Sequence, residues 1–332
     1  MNDQNTDKLN SIIESSKTVL ILQADNPDSD SLGSAVALEN IFDKLGIEAI
    51  LYCGVDIPNY IKYIDGWDRV SKDIPNNFDA SILVDVSTIT LFEKLSDTDI
   101  RKLSSKPSIV IDHHTVSSNP VTFSDLQIID NTNASTGQLI YTIGKKLNWP
   151  MDKKALELIA NTILGDTQGL TNDLATADTY RIMAELIEAG VNRPELENKR
   201  KEFNKMTEAI FEFKADLMKK THFVYNNKIS HVTISQSEIN QYSPSYNPSA
   251  LVLPEMLQTE DVVVAIAFKE YDDGRITAAI RCNPGAAIAN ALADHFGGGG
   301  HTYASGFKVT KMDIENLRKE CLDKAQELLI KL

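Results

Sequence analysis

Three polar residues in a row, Asp112-His113-His114, close a short run of apolar and small side chains at residues 107–111. The run reads as a buried strand, so the acid and both imidazoles stand where that strand ends. In an open α/β sheet, ligands bind outside the carboxyl ends of the strands. An acid and two imidazoles at such a place can coordinate a metal or move protons. They can equally form a satisfied hydrogen-bonding pair inside a core, because histidine serves either purpose. Other stretches of the chain have to break the tie.

Apolar blocks at residues 18–22, 47–52, 80–84, 108–111 and 126–129 read as strands, and helices are expected at 9–16, 31–45, 135–147 and 153–164. Leu32, Val36, Leu38, Ile41, Phe42 and Leu45 recur at helical spacing, and Gly46 closes that helix. Strands alternating with helices predict an α/β fold, a mostly parallel sheet with helices on both faces. Residues 177–217 read as largely helical, with Lys199-Arg200-Lys201 as a solvated helix face. Beyond them, strands at 229–234, 262–271 and 275–282 and helices at 286–296 and 312–332 make a smaller α+β domain. A chain of 332 residues exceeds what one core usually serves. The expected division is a first domain at 1–190, a helical linker at 191–220 and a second domain at 221–332.

A net charge of −14 argues against broad binding of long duplex DNA, which needs a basic footprint. No apolar run approaches the roughly 18 residues that span a bilayer. The opening Met1-Asn2-Asp3-Gln4-Asn5 has no basic-then-apolar leader. Cys53, Cys282 and Cys321 are odd in number and far apart, which speaks against a disulfide framework or a thiolate zinc site and fits a reducing cytoplasm.

The first domain offers acids at several strand ends. Asp28 and Asp30 follow the first strand, Asp85 a later one and Asp112 another, while Asp166 closes a helix. A single Asp at such a place is ordinarily a turn or cap residue. Several at one sheet edge repel one another unless cations neutralise them. Oxygen-rich ligation with one or two imidazoles suits manganese or magnesium better than zinc or copper. Two such ions about 4 Å apart can activate a water and stabilise a leaving oxygen. In the second domain, Gly297-Gly298-Gly299-Gly300-His301 follows a helix. Consecutive glycines let backbone N–H groups approach an anion closely, and His301 stands at their edge. The alternative is a flexible turn.

Asn26-Pro27-Asp28-Ser29-Asp30, Val84-Asp85, Asp112-His113-His114, Ala134-Ser135-Thr136-Gly137, Gly165-Asp166-Thr167 and Gly297 to His301 occur in the order of the DHH/DHHA1 phosphoesterases. The chain resembles that family over nearly its whole length, in particular its stand-alone nanoRNase type, which pairs oligoribonuclease and phosphoadenosine-phosphate phosphatase activities. The resemblance implies a DHH catalytic domain and a DHHA1 substrate-binding domain. Asp28 would hold one manganese ion, Asp85 would bridge two, and Asp30, His113 and Asp166 would hold the second. Magnesium and cobalt are the alternative metals. Asp112 would orient its neighbour, and His114 would reach the scissile phosphate. Gly298, Gly299, Gly300 and His301 would grip substrate phosphate from across the cleft, with Arg281 as the terminal-phosphate clamp, since its planar fork binds phosphate bidentately.

The implied substrates are very short oligoribonucleotides, linear dinucleotides such as pApA, and 3′-phosphoadenosine 5′-phosphate, with no long duplex and no membrane among the partners; a homodimer is left open. A RecJ-type single-strand exonuclease would normally need more chain and a basic channel. A membrane-bound cyclic-di-AMP phosphodiesterase would need transmembrane and sensory segments. A non-catalytic nucleotide-binding module is the reading from a different class. One departure bears on the metal. The family's first motif opens with a His where this chain has Ala24, so the first ion position is expected to be weakened or rebuilt. Asp25 is the better substitute ligand and Gln23 the other, and Ala24→His is expected to tighten manganese activation.

Overall fold

The computed structural model describes residues 3–86, 88–114, 120–242, 247–310 and 312–332. The chain divides into two compact units, Met1–Asn204 and Lys205–Leu332. The first contains α1 (Asp3–Glu14), β1 (Thr18–Leu22), α2 (Ser29–Lys44), β2 (Glu48–Tyr52), β3 (Ala80–Val84), α3 (Asp97–Ser104), β4 (Ser108–Asp112), β5 (Leu126–Ile129), α4 (Thr136–Leu147), α5 (Lys153–Asp166), α6 (Ala177–Glu188) and α7 (Arg193–Phe203). Its five strands are all parallel, in the order β2-β1-β3-β4-β5. The strand order reverses at β1, which pairs with β2 on one side and β3 on the other. That is the topological switch point where α/β sheets open a crevice.

The strands are apolar throughout because both faces are covered. Val19, Ile21, Ile82, Val84, Ile109 and Ile111 pack with Leu32, Val36 and Ile41 of α2, Leu139 of α4 and Ile159 and Ile163 of α5. Leu20, Leu22, Leu83 and Val110 point the other way, against Phe78, Phe92 and Leu103. Each such buried side chain contributes about 1.5–3 kcal/mol. The Asp28 side chain accepts from the backbone N–H groups of Asp30 and Ser31, and the Ser31 hydroxyl accepts from the Asp28 N–H, so a capping box fixes where α2 begins. The start of α2 also meets the end of α5 closely. A Cβ on Gly165 would lie 2.2 Å from the Ser29 hydroxyl, so glycine is what lets Asp30 and Asp166 approach.

The second unit contains α8 (Glu208–Lys219), β6 (His222–Val224), β7 (Ile229–Ile234), α9 (Gln236–Tyr242), α10 (Pro248–Leu257), β8 (Val264–Glu270), β9 (Arg275–Cys282), α11 (Ala289–His295), β10 (Gly299–His301), β11 (Ala304–Thr310) and α12 (Ile314–Ile330). Its mixed sheet runs β10-β11-β9-β8-β7-β6, with β7 and β8 parallel and the other pairs antiparallel. One face packs on α11 and α12, and the other on α8 and α10.

The α/β expectation holds, and five of the strands coincide with the expected residues. Several elements differ. The first helix runs from Asp3 to Glu14 rather than 9–16, because its polar opening turn is anchored by the buried Thr6. The pair α9 and α10 was not anticipated; Pro248 and Pro254 masked the helical pattern, yet Pro248 opens α10, where its missing N–H has no partner to lose. The helical stretch at 191–220 is shared, with α7 in the first unit and α8 in the second. The glycine run is not an open turn: Gly299 and Gly300 form β10 at the edge of the sheet.

Candidate metal centre

The carboxyl edge of the first sheet gathers side chains from four separate segments. Asp30, in the first turn of α2, is fully buried. Its Oδ2 accepts from the Thr136 N–H (2.7 Å), and its Oδ1 from the Gly137 N–H (3.1 Å) and the Ser34 hydroxyl (3.1 Å). Those two N–H groups open α4, so a helix N-terminus holds this carboxylate. Asp85 follows β3 with φ at 59°, a left-handed backbone that costs a non-glycine residue about 1–2 kcal/mol. Such strain is kept where the surroundings over-determine it, and here the Thr136 hydroxyl donates to Asp85 Oδ1 at 3.1 Å.

His113 continues the alternation of Ile109 and Ile111, which turns it toward α2 and α5. Its Nδ1 lies 3.3 Å from the Asn133 carbonyl, a partner that only an N–H can satisfy. In the neutral ring Nε2 then carries the lone pair. That atom is 3.1 Å from Asp166 Oδ2, 3.6 Å from Asp30 Oδ2 and 3.7 Å from Asp85 Oδ1. Beside it, Asp112 Oδ1 sits 2.7 Å from His114 Nδ1 and also accepts the His114 backbone N–H. His114 Nδ1 is 3.5 Å from Asp85 Oδ1. Two ligand groups result, Asp30–His113–Asp166 and Asp85–His113–His114, with donor atoms in each lying within 4.8 Å of one another.

The electrostatics say what this arrangement lacks. Burial, then the charges of Asp30, Asp28, Asp112 and Asp166, hold Asp85 well above the usual carboxylate range. Burial and Asp30 push Asp166 up to about 7. Burial alone would lower the His113 pKa, but the hydrogen bond to Asp166 and the charges of Asp30, Asp166 and Asp112 outweigh it and raise it to about 9. Desolvation and Asp30 raise Asp28 as well. Asp28 is exposed as a residue, while its Oδ1 accepts from the N–H groups of Asp30 and Ser31. A lone pair facing three carboxylates is repulsive unless a proton or a cation stands between them. The donor set of oxygens with imidazole nitrogen fits a hard divalent ion.

The residues around Ala24 give a different result from the sequence expectation. Ala24 is buried among Leu20, Leu22, Tyr52, Phe78 and Val86, on the sheet face away from α2. A histidine there overpacks an apolar cluster at a cost of about 1–3 kcal/mol, so Ala24→His does not simply restore a ligand. Asp25 also points elsewhere, since its Oδ2 accepts the Lys94 N–H at 2.7 Å in the segment before α3.

In the second unit, Arg281 on β9 pairs with Ala304 on β11, which pairs with His301 on β10. The register therefore sets Arg281, Ala304 and His301 in one row across three strands. Arg281 has its pKa lowered by burial, donates to the Ile280 carbonyl at 2.9 Å, and has no carboxylate ion pair among the described residues. Gly298 is required by packing, because a Cβ there would lie 2.2 Å from the Gly306 carbonyl oxygen. Gly299 and Gly300 lie on an edge strand, which leaves one row of backbone groups unpaired by the sheet.

Residues 18–163 match the DHH family, N-terminal domain. The chain carries a DHH-family domain. Over 306 residues the chain is 24% identical to the bifunctional oligoribonuclease and PAP phosphatase NrnA of Bacillus subtilis, covering 89% of this chain and 90% of that protein. It is 23% identical over 305 residues to the protein of the same name from Thermus thermophilus, covering 92% and 88%. The crystal structure of an exopolyphosphatase-related protein from Bacteroides fragilis shares the fold, with a TM-score of 0.83 at 21% identity over 99% of this chain and 98% of that one.

Within the DHH domain, the residues that hold the acids in place carried no role in the sequence reading. Ser34, Asn133, Thr136 and Gly137 all touch the cluster. The signal available for them was the Ser135-Thr136-Gly137 motif, since Ser135 caps α4 by accepting the Gln138 N–H.

Proposed function

We propose that the chain is a divalent-metal-dependent phosphoesterase acting on very short oligoribonucleotides, linear dinucleotides such as pApA, and 3′-phosphoadenosine 5′-phosphate. The observation that carries this reading is His113 Nε2 facing Asp30, Asp85 and Asp166 within 3.7 Å. Asp30, His113 and Asp166 would hold one manganese ion, Asp85 would bridge to a second, and Asp28 would hold that second ion from the solvent side. Bound there, the ions supply a low-pKa water and neutralise charge on a phosphoryl oxygen.

The protein groups do the positioning. Asn133 fixes the His113 tautomer, the start of α4 holds Asp30, and Thr136 holds Asp85. Asp112 orients His114, whose side chain is one-third exposed and would meet a phosphate oxygen or a water. Arg281 would bind a terminal phosphate bidentately, and Gly298, Gly299, Gly300 and His301 would grip the substrate phosphate. The names of the NrnA relatives support this substrate class. No helix among the described residues is long and apolar enough to cross a membrane. All three cysteines are buried thiols, which fits a reducing cytoplasm.

The test is a substrate panel of labelled di- to pentaribonucleotides, pApA, cyclic dinucleotides and 3′-phosphoadenosine 5′-phosphate, run with manganese, magnesium and cobalt. Mononucleotide or AMP release that requires added metal is the expected result. Binding of pApA without turnover under every metal would leave the chain a nucleotide-binding module.

A further inference from the structure

Gln23 is fully buried, and neither its amide oxygen nor its amide nitrogen has a hydrogen-bond partner. Leaving a buried amide unmatched costs about 1–3 kcal/mol, and an apolar side chain would avoid that cost. Its place in the sheet says what the amide is near. The Gln23 N–H donates to the Tyr52 carbonyl at 3.0 Å, so β1 geometry continues through it. Val19 and Ile21 face α2 and α5, and alternation puts Gln23 on that same face. It stands one step beyond the Leu22–Leu83 pair, beside Val84 and one residue layer beneath Asp85. The acids at the start of α2 and the end of α5 lie above that face.

From this placement we infer that the Gln23 side-chain carbonyl is an oxygen donor to a divalent ion held by the acidic cluster, either directly or through an ion-bound water. Hard cations take six or more oxygen ligands and accept neutral amide carbonyls among them. No other side chain of this segment supplies that donor from below. Ala24 has none to offer, and the Asp25 carboxylate is turned toward Gly54 and Lys94, with Oδ2 accepting the Lys94 N–H. The inference rests on the acidic cluster being a divalent-ion centre.

The experiment uses the full chain and manganese alone. Isothermal titration gives ion number and affinity, and melting with EDTA or with manganese gives the stabilisation by metal. Gln23→Leu is expected to melt higher than wild type in EDTA, because the unmatched amide is gone. It is expected to bind one ion on the order of 10-fold more weakly, so that manganese stabilises it less. Gln23→Glu is expected to bind manganese more tightly than wild type, and it keeps the test open if the leucine variant does not fold. Unchanged manganese binding in both variants overturns the role of Gln23 alone. Wild-type protein that takes up no manganese at all overturns the centre and this role with it.

Discussion

The two units bury opposite charges. The first hides Asp30, Asp85 and Asp112 and partly covers Asp166, with only His113 and His114 among them. The second partly buries Lys269 and Arg281, whose pKa values burial lowers, with no carboxylate ion pair to either among the described residues. A buried charge with no partner in the chain is costly enough to be uncommon. The acid cluster of the first unit calls for a counter-cation, whereas Lys269 and Arg281 are met only by neutral acceptors, Asn247 Oδ1 and the Ile280 carbonyl, which is the setting the proposed phosphate role of Arg281 needs. A metal-dependent enzyme acting on small phosphate esters uses both.

Four outcomes sharpen or break that contrast. Asp85→Asn removes the carboxylate proposed to bridge the two ions and is expected to lower manganese-dependent pApA hydrolysis roughly 1,000-fold. Circular dichroism should show an unchanged fold, and activity within tenfold of wild type would sink the bridging role. Arg281→Ala should raise KM about 10- to 100-fold with a smaller change in kcat, while manganese titration stays as in wild type. A fall in kcat alone would place Arg281 outside phosphate binding. Thr136→Val keeps the shape but deletes the hydroxyl on Asp85, and should weaken manganese affinity on the order of 10-fold; rescue by Thr136→Ser would tie the effect to the hydroxyl.

The smallest effect concerns pH and has opposite signs in the two units. Asp166 at about 7 and His113 at about 9 bind protons more tightly folded than unfolded, so metal-free stability of the first unit should fall as pH rises from about 4 to about 9. His231 in the second unit is buried and lowered to about 4 by burial and Arg318, so the unfolded chain binds the extra proton between about 4 and 6.5. Stability there should rise with pH over that window. Each proton so taken up contributes at most about 1.4 kcal/mol per pH unit to the slope. Hydrogen exchange in EDTA, followed separately in each unit, reads both. Equal slopes would break the comparison, and manganese should flatten only the first.

Much of the fold is legible because local physics writes it into the chain. Apolar blocks such as residues 18–22 and 80–84 have no way to be exposed, and their alternation with helices forces a covered parallel sheet. The acids at the strand ends are legible for the same reason, since a polar residue that ends an apolar strand stands at the sheet edge. Gln23 was legible as the lesser of two substitute ligands, behind Asp25, and only the packing reverses that order. The glycine run shows the limit. Four glycines in sequence look like a turn, and only the pairing of β10 with β11 makes the last two, Gly299 and Gly300, part of a strand.

The amino-acid order alone determined that acids and imidazoles would end several strands of one parallel sheet. Tertiary structure decided which atoms face one another. It turned Ala24 into an apolar cluster, sent Asp25 toward Lys94, aimed His113 Nε2 at three carboxylates and set Thr136 on Asp85. Those outcomes depend on how α2, α4 and α5 settle against the sheet. Contacts between residues 50 or 100 positions apart are fixed by packing, which no local pattern encodes.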